Sequence, residues 1–114
     1  MKINKRGLET PWGPTQQIEK ISEGITWCST ASHGGYYVSN DLDFGATLSR
    51  MPEKYRSFKP WAGIGWYEED CDWAIVCLAY PKEFEAHYGE RYPEMKAAAE
   101  RTVNGQPEYF KIAA

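Results

Sequence analysis

The chain has 114 residues, with 13 Lys and Arg against 16 Asp and Glu for a formal net charge of −3. That length suits one domain with a hydrophobic core of its own. Cys28, Cys71 and Cys77 form no Cys-x-x-Cys pair, and the histidines are His33 and His87 alone, so neither a disulfide framework nor a structural zinc site is expected, and reduced thiols in a cytoplasm are. The longest apolar run, 73–80, is far short of the ~20 residues of a membrane-spanning helix, so no membrane contact is expected.

Charge is distributed unevenly. Residues 1–60 carry eight Lys or Arg against six Asp or Glu, whereas residues 61–114 carry five against ten. An acidic second half repels phosphate backbones, so no direct nucleic-acid partner is expected. Five Trp and eight Tyr supply more large rings than a core of this size needs, and these residue types are favoured at binding hot spots.

In chain order, residues 1–9 are polar and basic without sustained periodicity and read as a loosely held lead-in, with a single domain over 10–114. Thr10-Pro11-Trp12-Gly13-Pro14 cannot be helical, and its Trp is suited to pinning this segment to the core. Residues 16–39 alternate and are rich in β-branched and aromatic types, with breaks at Ser22-Glu23-Gly24 and Ser32-His33-Gly34-Gly35. They predict a three-stranded antiparallel meander.

Asn40 and Asp41 are suited to cap a short helix over 42–50, and Pro52 to open another over 53–58. A breaker-rich loop follows at 59–65. Trp73, Val76, Cys77, Tyr80 and Phe84 fall on one face of a 3.6-residue period, which predicts a helix over 66–80 stopped or kinked by Pro81. Glu68, Glu69, Asp70 and Asp72 would then occupy its first turn, where carboxylates complement the helix dipole. A last helix is expected from Pro93 to Asn104, closed by Gly105. The fold class is α+β: a small antiparallel three-stranded meander packed against two to four helices.

Two strings suggest function. Residues 29–36 combine small hydroxyls, His33 and a Gly-Gly turn, which suits a base with backbone donors. A hairpin corner uses the same residue types. The string 66–73 places four carboxylates beside Trp66, Tyr67 and Trp73. On a helix, Glu68, Glu69 and Asp72 share a face, fit either for complementing a helix start or for docking on a basic surface. A catalytic centre using His33 with Glu69 or Cys71 is a further possibility. Acidic neighbours are, however, a poor setting for a Cys71 thiolate, and Cys77 suits a core position.

The Thr10-Pro11-Trp12-Gly13-Pro14 segment with Gln16, the Ser-Thr-Ala-Ser-His-Gly-Gly of 29–35 and the 66–73 string together resemble an uncharacterised bacterial domain family. Its members occur as small free-standing proteins and as modules in phage and plasmid proteins. The likeness covers roughly residues 9–85 and implies no catalytic residues. The mobile-element setting implies a small acidic inhibitor of host defence, of which anti-CRISPR proteins are examples. The leading expectation is therefore a non-enzymatic interaction protein. It would engage a host protein or complex with a basic, nucleic-acid-gripping surface through Glu68, Glu69, Asp70 and Asp72, with Trp66 and Tyr67 as anchors. Neither a cofactor nor a metal is expected. The alternative is a small hydrolase or transferase using His33.

Overall fold

A computed structural model of the chain describes residues 9–39, 46–55, 58–63 and 65–110. The expected lead-in therefore lies almost wholly outside the described residues. So does the start of the helix expected over 42–50, and that of the expected 53–58 helix its residues 56 and 57.

The fold is α+β. Strands β1 (Glu9–Thr10) and β2 (Gly13–Pro14) form a small ribbon. The Thr10 hydroxyl closes it by donating to the Gly13 carbonyl at 2.7 Å. The expected meander is present as β3 (Gln17–Ser22), β4 (Ile25–Ser29) and β5 (Gly34–Val38), all antiparallel neighbours. A fourth strand, β6 (Trp66–Glu68), pairs with β5 and extends the sheet to the order β3-β4-β5-β6.

Helix α1 (Ala46–Ser49) and a 3-10 turn (Glu53–Tyr55) follow the meander. After β6 come α2 (Trp73–Ala79), α3 (Pro81–Tyr88), a 3-10 turn (Gly89–Arg91) and α4 (Tyr92–Gly105). Pro81 sits in the first turn of α3, where its missing N–H costs no helical hydrogen bond. Pro93 plays the same part in α4.

The helix expected over 66–80 needs correcting. Its second half is α2, and Val76, Cys77 and Tyr80 are buried as their spacing implies, with Trp73 packed partly buried against the same core. Its first part is strand and turn. Trp66, Tyr67 and Glu68 pair in register with Tyr37, Tyr36 and Gly35 of β5 rather than winding into a helical turn. Consequently the four carboxylates share no helical face.

The strand registers align side chains in rows. Trp27, Tyr36 and Tyr67 lie in one row on the helix-covered side, within or against the main core that holds Ile75, Val76, Phe84 and Val103. Each such buried apolar side chain contributes about 1.5–3 kcal/mol. The opposite side carries a smaller cluster of Cys28, Tyr37 and Trp66, against which Trp12, Ile18 and Ala62 pack. Trp12 meets Trp66 edge to face, with ring centroids 5.8 Å apart. Its ring rests over Gly35, where any Cβ would strike both the indole and the Tyr67 carbonyl. The Trp12 contribution expected from sequence is thus made against the bare backbone of β5.

Candidate functional site

The end of β6 and the turn 69–72 bring together most of the residues singled out from sequence. Glu68 follows Tyr67 in the strand and is almost fully enclosed, at 3% exposure. One of its carboxylate oxygens accepts the Asp70 backbone N–H at 2.8 Å, and the other lies 3.3 Å from His33 Nδ1. His33 itself sits in the β4–β5 turn. The Thr30 hydroxyl holds that turn by donating to the His33 carbonyl at 2.9 Å and accepting the His33 N–H at 3.1 Å. The turn is tied to β6 by the Glu69 N–H, which donates to the Gly34 carbonyl at 2.8 Å.

Asp72 is completely buried just before α2 and makes no side-chain cap bond to that helix. Its Oδ1 accepts the Tyr109 hydroxyl at 2.5 Å, while Oδ2 makes no hydrogen bond. Burial pushes its carboxyl up to about 6. The Tyr109 hydroxyl and the nearby Trp61 backbone N–H pull it down, and the Glu68 charge pushes it up further. The Tyr109 hydroxyl is raised above the usual phenol range by burial and by the same Asp72 contact.

Two of the six expected partner-binding residues point outward. Glu69 and Asp70 are exposed, and neither forms an ion pair among the described residues. Glu68 and Asp72 are internal, and the expected anchors Trp66 and Tyr67 are core residues at 6% and 2% exposure. Strand pairing explains this placement, because β6 is covered on both faces. Two aromatics that the periodicity did not single out stand at this turn instead. Trp61 is 57% exposed and Tyr109 is 38% exposed, the large hydrophobic side chains left open among the described residues. The Trp61 ring is edge-on to His33 at 6.5 Å, and Tyr109 is braced against Phe58 and Phe110. A large ring within a breaker-rich loop, or beyond the last helix, lacks an apolar periodic partner, and that was the available signal.

The catalytic pairings expected for His33 are also revised. Its carboxylate partner is Glu68 and not Glu69, and Cys71 instead accepts a hydrogen bond from Gln106 Nε2 at 3.2 Å. Burial raises the Cys28 thiol to about 11 and the Cys77 thiol to about 12, which keeps both protonated at neutral pH. Glu68, Glu69 and Asp70 could together face a cation, since one oxygen from each lies within 4.8 Å of the others. Two of the three are exposed, and water is the ordinary partner of such a group, so no metal is assigned.

A family model described as a domain of unknown function (DUF7007) matches residues 5–114. The chain belongs to that family. The DUF7007 match spans more of the chain than the motif likeness over 9–85, and takes in α4 and Tyr109. No curated protein and no solved structure matches the chain significantly. No helix among the described residues is long and apolar enough to cross a membrane.

Proposed function

We propose that this DUF7007 chain is a protein-interaction module that docks on a basic protein surface through Glu69 and Asp70, with Trp61 and Tyr109 as anchors. One observation carries the reading. The open large aromatics among the described residues both contact the groups around the turn that displays two outward, ion-unpaired carboxylates. Trp and Tyr are favoured at hot spots, where their rings exclude water, and exposed charges beside them select the partner and speed association. Glu68 and Asp72 then serve beneath the surface, Glu68 holding His33 and Asp72 holding Tyr109.

The finer reading is that the partner is a host defence complex that grips nucleic acid, inhibited in the anti-CRISPR manner by carboxylates taking the place of phosphates. Its support is the acidic character of residues 61–114 together with the resemblance to a family found on mobile elements. The test is parallel affinity purification from a host lysate with wild type, Glu69→Lys/Asp70→Lys and Trp61→Ala. A partner held by wild type, lost from both variants and displaced by added duplex nucleic acid is expected. Equal recovery by all three proteins would overturn the reading.

A hydrolase or transferase has one specific observation in its favour. A carboxylate on His33 Nδ1 favours the tautomer in which Nε2 accepts a proton, the arrangement of a general base. No hydroxyl or thiol among the described residues hydrogen-bonds that ring, so the base would act on water or on a bound substrate. His33→Gln, which keeps a donor for Glu68 and a side chain beneath Trp61 but cannot act as a base, separates the readings: partner binding should persist, whereas a general-base enzyme would lose ~10²–10⁴-fold in rate.

A further inference from the structure

A depression of about 260 Å³ opens between the 3-10 turn at Glu53–Tyr55, the end of α2 and the last turns of α4. None of the residues that line it belongs to the patch around 69–72. Its apolar lining includes Met51, Tyr55, Leu78 and Val103, and its polar lining includes Arg50, Lys54, Glu100 and Asn104.

Arg50 is held in place from two sides. Its Nε donates to the Ala79 carbonyl at 2.7 Å, and its guanidinium carbon sits 4.5 Å from the centre of the Tyr80 ring. The first contact is favourable because a guanidinium at a helix C-terminus meets the negative end of the helix dipole. It uses one of five N–H donors. The terminal nitrogens make no hydrogen bond or ion pair with any described residue, so a pre-positioned fork with free donors borders an open depression of mixed polar and apolar lining. Lys54 adds a second cation without an ion-pair partner among the described residues. Glu100 is the single carboxylate of the lining, which leaves an excess of positive charge in the acidic chain.

We propose that Arg50 and Lys54, over the apolar lining of Met51, Tyr55, Leu78 and Val103, bind a small organic oxyanion. A guanidinium fork matches the paired oxygens of a phosphate or a carboxylate. The volume lies just under the range of about 300–1,000 Å³ typical of ligand pockets, so the ligand is one oxyanion on a body no larger than a single ring. The site is independent of the docking patch, and its ligand is distinct from the basic partner proposed there.

The test is a titration of the uniformly ¹⁵N-labelled chain with four probes: phenyl phosphate, benzoate, inorganic phosphate and benzyl alcohol. Saturable shifts at Tyr55, Leu78 and Asn104 are expected with one or both aromatic oxyanions, and the stronger of the two identifies the preferred head group. Inorganic phosphate should bind more weakly because it lacks the apolar body, and benzyl alcohol should not saturate. Losing a bidentate, charge-assisted contact in Arg50→Lys should weaken binding about tenfold or more. Lys54→Gln should weaken it by a smaller factor, and Glu100→Gln should tighten it by removing an opposing charge. Lys54 and Glu100 are exposed, so these two variants remain informative if Arg50→Lys does not fold. Shifts confined to other parts of the chain, or affinities unchanged by Lys54→Gln and Glu100→Gln, would overturn the assignment.

Discussion

Asp72 is enclosed on all sides, holds Tyr109 through one oxygen and leaves the other without a hydrogen bond. With its carboxyl raised from 3.8 to about 6, the folded chain binds this proton more tightly than the unfolded chain does. Its contribution to stability is therefore full below pH 3.8 and is lost as pH rises through about 6. Asp72→Asn removes the cost of the buried charge while keeping an oxygen for the Tyr109 hydroxyl. It should stabilise the fold at pH 7.5 by on the order of 1–3 kcal/mol, with the gain fading towards pH 4. Thermal melts of both proteins at three pH values check this, and an Asn variant no more stable than wild type at pH 7.5 would contradict the cost assigned to the buried charge. Gly35 is a second decisive residue. Gly35→Ala should cost more than ~2 kcal/mol, because its methyl group meets backbone on one side and the Trp12 indole on the other. Gly105→Ala is the control: nothing lies within 4 Å of its Cβ position at the end of α4, and stability should hold or rise slightly.

At the scale of elements, the ribbon β1–β2 and strand β6 act together. Trp12, delivered by the ribbon, covers Gly35 and stacks edge-on against Trp66 of β6. Trp12→Ala should cost roughly 2–4 kcal/mol in chemical denaturation by leaving a void over the sheet. It should also disturb the amides of β6 more than those of α4. These elements also mark how much the sequence reveals. The meander was legible because alternation and turn residues are local signals, α2 because of its apolar spacing, and α4 because Pro93 opens it, alanines fill it and Gly105 closes it. Strand β6 was not, since three residues carry too short a pattern and their pairing with β5 spans about thirty positions of chain. The run of acids after Tyr67 reads naturally as a helix start, so the error carried directly into the expected site. His33 and the acidic string were recognisable as candidates. That Glu68 turns inward to His33, while Trp61 and Tyr109 stay outside, follows from tertiary packing, which no local spacing records.

Across the whole molecule, the features proposed for function use separate residues and opposite charge. The turn 69–72 displays carboxylates between open rings, and the depression at Arg50 offers a guanidinium and an ammonium over an apolar lining. Both rest on the same four-stranded sheet and its helical cover, so substitutions at exposed positions of one should leave the other intact. The cysteines fit this division. Cys28 and Cys77 are packed core thiols held protonated by burial, and replacing Cys71 by Ala should leave partner binding near wild type, as measured on protein of unchanged melting temperature. The docking surface is the central claim, and its most direct measurement is an amide and indole chemical-shift map of the labelled chain titrated with a synthetic Arg- and Lys-rich peptide. The account expects saturable shifts at Trp61, Glu69, Asp70 and Tyr109, weakening with added salt as screening sets in over about 10 Å at 0.1 M, and absent from a folded Glu69→Lys/Asp70→Lys protein. Saturable binding that maps to the acids of α3 and α4 instead, or that survives the double charge reversal, would contradict it.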